Sequence, residues 1–164
     1  MTEAMRLLLK GCLMAALLVY CGPSSGQGAT LPRADIVSCV RAVNDLDDIM
    51  WTKMRSHCLV IAGSHCEAPV SGPILDCLAD ITRDMTMYVA SALPHLPDTV
   101  EADGFRRLSY LSIVERLRAP DDAQARCMSQ HSKAFDQSIC LSVAAFGRLI
   151  DVFTVARYAN VTLP

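Results

Sequence analysis

Apolar and polar positions along the chain fall into helix-length blocks separated by gaps rich in proline and glycine. From Asp35 to Cys58, apolar residues recur at Ile36, Val40, Val43, Met50 and Met54. That spacing is close to the helical repeat and predicts one amphipathic helix. Ala62 to Pro73 holds Gly63, Pro69, Gly72 and Pro73 and reads as a loop. Ser71, with Pro73 just beyond it, is a helix-start signal. The second helix then runs to about Leu93, with Ile74, Cys77, Leu78, Ile81, Met85, Tyr88 and Ala92 on one side, and Pro94 ends it. His95 to Asp103 is a linker. A third helix covers Phe105 to Arg118 with Leu108, Leu111, Val114 and Leu117 inward. Pro120 stops it, and Asp121 and Asp122 complement the dipole of a short fourth helix over Asp122 to Gln130. A fifth runs from about Asp136 to Ala159 and buries Ile139, Val143, Phe146, Ile150 and Phe153. No alternating pattern argues for strands. The expected fold is all-α, a bundle of two helical hairpins and about five helices joined near residue 97.

Composition agrees with helices. The 164 residues are 52% hydrophobic but only 5% aromatic, so the core must be built from Leu, Ile, Val, Met and Ala, which suit helices better than sheets. The N-terminus adds an export signal. Arg6 and Lys10 precede the apolar run Gly11 to Cys21, and a small-residue stretch, Gly22 to Ala29, follows with cleavage expected after Gly26 or Ala29. That run is short for a membrane span, which needs ~20 residues; an uncleaved anchor is the alternative. A lipoprotein modified at Cys21 is disfavoured because Tyr20 is bulky where a small residue is wanted. The division is therefore residues 1–29 as signal and 30–164 as one domain, with 30–96 and 97–164 as its halves. Removing Glu3, Arg6 and Lys10 takes fifteen basic residues to thirteen and seventeen acidic ones to sixteen, a net charge of −3. No basic patch remains to neutralise phosphates, so nucleic acid is excluded as an expected partner, and contact with a membrane is expected only through the export signal.

Cleavage leaves six of the eight cysteines: Cys39, Cys58, Cys66, Cys77, Cys127 and Cys140. An even set behind an export signal implies disulfides in an oxidising compartment, the periplasm or the exterior. In a continuous helix, Cys39 and Cys58 would stand about 28 Å apart, whereas a bridge needs α-carbons within about 7 Å. That pairing is excluded unless the helix breaks.

Trp51-x-x-x-Arg55-x-x-Cys58, then a glycine-containing loop, then Cys77-Leu78-x-x-x-Thr82-Arg83 resembles the LprI-type lysozyme-inhibitor domain, a family of small bacterial exported helical domains. The matching stretch is Asp48 to Leu93. The chain departs from the family pattern at Asp48, usually glutamine, and at Met85, usually arginine. The second half matches only through Cys127 and Cys140-Leu141, as a degenerate copy of the hairpin or an unrelated addition. The resemblance implies an exported helical binding protein and, as its activity, inhibition of a lysozyme-like muramidase by occlusion.

The residues of the motif have physical readings of their own. Cys58 ends one predicted helix and Cys77 begins the next, so antiparallel packing predicts a Cys58–Cys77 bridge. Cys127–Cys140 is expected in the second half, with Cys39–Cys66 as the remainder. Trp51 can cover the hairpin seam, and Arg55, one turn away, can stack on the indole or pair with a carboxylate of the second helix. For Trp51, Arg55, Leu78 and Thr82 a structural role is favoured over direct ligand contact.

Asp76, Asp80 and Asp84 recur every four residues along the second helix. Like charges at this spacing repel by a few tenths of a kcal/mol. The stripe reads either as a docking surface for a basic protein partner or as a solvated face eased by Arg83 and the helix N-terminus. Ser56-His57-Cys58 and Ser64-His65-Cys66, near Met50, Met54, Met85 and Met87, have donors that suit copper(I) or zinc. Disulfides are the preferred use of those cysteines, so no metal and no cofactor is expected. His57, His65, His95 and His131 sit in no recognised nucleophile motif, and no glycine-rich phosphate loop is present. The expectation is a non-enzymatic exported binding protein, with a scaffold protein of the envelope and a metal-handling protein as alternatives.

Overall fold

The computed structural model describes residues 35–67, 73–101 and 103–164. The predicted export signal, Cys21 and Ser71 lie outside them. Six α-helices follow one another: α1 (Ile36–Asn44), α2 (Asp48–Glu67), α3 (Ile74–Ala92), α4 (Gly104–Arg118), α5 (Ala123–Gln130) and α6 (Ala134–Ala159), with a 3₁₀ turn at Leu93–His95 after α3. Among the described residues there is no strand. The all-α, disulfide-bridged architecture is as the periodicity predicts.

The first predicted helix is two helices. Asp45, Leu46 and Asp47 break it, and Asp47 restarts it: its Oδ1 accepts the backbone N–H groups of Ile49 and Met50, both at 3.0 Å. These are two of the donors that a helix start leaves without partners, and an aspartate here satisfies them. The break lets α1 fold back along α2, so Cys39 bonds Cys58 with α-carbons 5.7 Å apart. α2 also outruns the predicted loop boundary at Ala62. Cys58 therefore lies about 12 Å short of Cys66 along the helix axis, and it is Cys66 that reaches Cys77 at the start of α3, at 5.5 Å between α-carbons. The expected Cys58–Cys77 and Cys39–Cys66 bridges do not form. Cys127–Cys140 does, tying α5 to α6.

Asp35 caps α1. Its Oδ1 accepts from the N–H groups of Val37 at 3.0 Å and Ser38 at 3.2 Å, and its Oδ2 from the Ser38 hydroxyl. Partial burial pushes this carboxyl up, but the Ser38 and Val37 bonds and the charge of Arg41 outweigh it and hold the group below its ordinary value of 3.8. A carboxyl depressed in the fold contributes stability above its unfolded value, and that contribution is lost as pH falls through the folded one. Asp35→Ala is expected to cost about 1 kcal/mol at neutral pH. In urea titrations the gap between variant and wild type should close in acid; a gap that is unchanged below pH ~3 would show that the charge contributes nothing.

The core runs along α6, whose Phe146, Leu149, Val152, Phe153, Val155 and Ala156 are buried. By length and composition this helix could cross a membrane; here its apolar side packs against α3 and α4. The α3–α6 pair is parallel, since Thr82 meets Ser142 and, further along both helices, Tyr88 stacks on Phe153 at 5.6 Å between ring centroids. Such a ring pair adds about 0.5–1.5 kcal/mol to simple burial. α4 runs antiparallel to α6, held by Arg116–Asp151 at 3.1 Å and by Arg148, which donates to the Leu117 carbonyl at 2.6 Å. The two predicted halves thus share one core.

On α4 the face differs from the expected one. Tyr110 is fully buried with Val114 and Leu117, while Leu108 and Leu111 are exposed. Tyr110 can take the inward place because its hydroxyl donates to the Pro97 carbonyl, and burial pushes its phenol up. Ile139 and Val143 of α6 are exposed as well, as is Met50 of α2. α6 ends on Asn160 in the left-handed region at φ 52°, where Val161 N–H donates to the Ala156 carbonyl at 2.9 Å and Asn160 N–H to that of Arg157 at 3.2 Å. This turn sends the last residues back, so the Pro164 carbonyl accepts from Arg41 and from the Tyr88 hydroxyl.

Candidate functional site

Each residue of the Trp51–Thr82 pattern faces the interior or its margin. Trp51, 5% exposed, lies in the first turn of α2. Two guanidinium groups flank it, Arg55 and Arg157, each with its carbon 5.8 Å from the ring centroid. Arg55 therefore takes the stacking option rather than a carboxylate of α3. Arg157 arrives from the last turn of α6 and holds the α1–α2 break. It donates to the carbonyls of Asn44 and Leu46 and to the Asp48 carboxylate, the last at 2.6 Å. The break and the tryptophan are thus fixed by one side chain that lies more than a hundred residues away in sequence. The sequence offered one signal for it, a basic residue in the last turn of a long helix, but nothing that named its target.

Leu78 is buried beneath α3. Thr82 Oγ1 bonds the Leu78 carbonyl at 2.8 Å and lies 2.9 Å from Ser142 Oγ, which itself reaches the Ser138 carbonyl at 3.0 Å. Each hydroxyl has one proton, so one of them donates across the α3–α6 interface while the other donates along its own helix. Ser142 is 3% exposed, and this pairing is how a hydroxyl is accommodated there. Thr82 pins two helices together, as a structural reading of the motif requires.

The acidic residues lie on the opposite, outer side of α3. Asp76 is exposed in the first turn, where the helix dipole favours a negative charge. Asp80 and Asp84 are half-buried, and Arg83 between them reaches Asp80 at 2.7 Å and Asp84 at 3.9 Å. Met87 is exposed one turn further on. Three carboxylates thus lie along this face, with Arg83 between the second and the third.

The remaining chemical candidates do not converge. His57 sits on the outer side of α2, His65 near its end, His95 in the 3₁₀ turn and His131 between α5 and α6. All six described cysteines are bridged, which removes thiolates from the neighbourhood of His57 and His65. Among the described residues, no three or more His, Cys, Asp or Glu side chains come together in a way that could hold a metal ion. Compared with protein-family models, with curated proteins and with solved structures, the chain matches none.

Proposed function

We propose that this chain is an exported protein, periplasmic or secreted, that acts by binding another protein rather than by catalysis. Its working surface is the outer face of α3, and the partner class is a basic, lysozyme-like muramidase blocked by occlusion. The observation that carries the reading is the run of three carboxylates along that face. Asp76, Asp80 and Asp84 share one side of α3 with an exposed methionine, and Arg83 reaches two of the three carboxylates. Complementary charge steers a basic partner onto such a face, and an adjacent apolar side chain gives it something to bury. Three bridges support the extracytoplasmic setting, since thiols remain reduced in the cytosol.

A scaffold role with a different partner is the second reading. It is favoured by the interior placement of Trp51, Leu78 and Thr82, which spends the LprI-like motif on folding. Titrating the oxidised protein into a panel of basic muramidases separates the two. The inhibitory reading expects turnover to fall as the protein is added and Asp80→Lys to need a much higher concentration for the same loss. Undiminished hydrolysis at large excess leaves the scaffold reading standing.

A further inference from the structure

Beside Trp51 two adjoining cavities, of about 350 and 290 Å³, open between α2, the start of α4 and the end of α6. They share Asp48, Arg106, Arg157 and Tyr158 in their walls, and the larger one adds Trp51, Arg55 and Phe105. The charge here is opposite to that of the whole chain, whose net charge is −2. Arg55, Arg106 and Arg157 face the single carboxylate of Asp48, and Arg157 is already bound to it.

Elsewhere the arginines are mostly neutralised: Arg83 by Asp80, Arg116 by Asp151, Arg118 by Asp98, Arg126 by Asp122 and Arg148 by Asp121. Arg55 and Arg106 have no carboxylate partner among the described residues. Arg55 is half-buried and lies over the Trp51 ring, and a cation–ring contact uses none of its N–H donors. Phe105, 79% exposed, stands at the rim as an apolar surface with no cover. Asn44 lines the smaller cavity, and its Oδ1 is buried with no hydrogen-bond partner.

We infer that this groove binds a small oxyanion, a carboxylate or phosphate group carried on an aromatic or other flat apolar body, with Arg55 and Arg106 as the anion clamp. A guanidinium group recognises either anion through two parallel N–H bonds, and Arg55 and Arg106 both line the larger cavity; the apolar body covers Phe105 while the indole forms the floor. The groove is separate in chemistry from the acidic face of α3 and does not depend on the function proposed for it.

Trp51 is the chain's one tryptophan, so its emission reports on the site directly. The oxidised full chain is titrated with benzoate, phenyl phosphate and, as the uncharged analogue, benzyl alcohol. We expect a saturable change in emission with at least one of the two anions and weakening as sodium chloride is raised. A preference for benzoate assigns the carboxylate source, and a preference for phenyl phosphate the phosphate source. Arg106→Gln, which leaves the Trp51 stack intact, should raise the midpoint about tenfold or more, the usual scale for a lost charged hydrogen bond. Arg55→Gln should do the same, while Arg126→Gln on α5 should leave the midpoint unchanged. The inference is overturned if neither anion gives a saturable change, if benzyl alcohol binds equally well, or if Arg106→Gln folds normally and binds like wild type.

Discussion

Reduced and alkylated, the protein is expected to lose its cooperative fold at room temperature. The three bridges close loops with sequence separations of 19, 11 and 13 residues. In the chain-entropy picture each contributes about 3 kcal/mol. The loops do not interleave, so their effects on the unfolded chain are close to additive, about 9 kcal/mol in total. Domains of this size are held by roughly 5–15 kcal/mol, so little is left. Circular dichroism with and without reductant tests this. A reduced chain that keeps a sharp thermal transition near the oxidised midpoint would show that the helix interfaces suffice alone. The separate contributions can be ranked with Cys→Ser pairs; the Cys39–Cys58 pair closes the longest loop and should cost the most.

Trp51→Ala is the point substitution with the largest expected effect, about 3–5 kcal/mol, the range for deleting a buried aromatic side chain. For a domain of this length that lowers the melting temperature by roughly 10–20 °C. Two terms combine. The indole is buried, and its removal opens a cavity at the junction of α1, α2 and α6. It is also the surface on which Arg55 and Arg157 rest, so two charged groups lose their cover together. Trp51→Phe keeps a ring and should recover about half of the loss. A double-mutant cycle with Arg157→Met should give a coupling of about 1 kcal/mol, the worth of a partly desolvated cation–ring contact. Should Trp51→Ala melt within a few degrees of wild type, the weight given to this buried ring as the surface beneath Arg55 and Arg157 would be wrong.

Much of this architecture was legible in the amino-acid pattern because the governing signals are local. Pro73, Pro94 and Pro120 mark helix ends directly, and the expected bounds of the last four helices fall within two residues of the observed ones. What was not legible depended on choices between near-equal local options. Across Asn44–Asp48 the apolar spacing continues as though the helix did, while Asp47 supplies a cap; periodicity and capping conflict, and Arg157, far away in sequence, decides between them. On α4 both sides carry large apolar residues, Tyr110 with Val114 and Leu117 on one, Phe105 with Leu108 and Leu111 on the other. Only the acceptor offered by Pro97 favours the tyrosine side. The Cys127–Cys140 bridge is as expected; the other two assignments fail because the first helix breaks and because α2 continues past Ala62 to carry Cys66 to Cys77. Once the helix breaks, the pairing dismissed on distance becomes the one that forms.

The same physics explains why the motif and the candidate site diverge. Trp51, Leu78 and Thr82 were recognisable by spacing, and spacing is what a helix interface imposes, so they stand in the interface. Arg55 bridges both roles, fixed by the indole on one side and open to the groove on the other. Arg106 gave no periodic signal, and the repeat that includes Phe105 with Leu108 and Leu111 pointed to burial and not to a groove.

Taken in chain order, the six bridged cysteines pair off two by two: 39 with 58, 66 with 77, 127 with 140. A polypeptide threaded through a membrane N-terminus first presents its thiols in that order. An oxidant that joins each newly arrived pair reaches the native connectivity with no crossed intermediate to undo. For a chain delivered in that order, each bridge closes as its second thiol arrives, before a later cysteine competes for it.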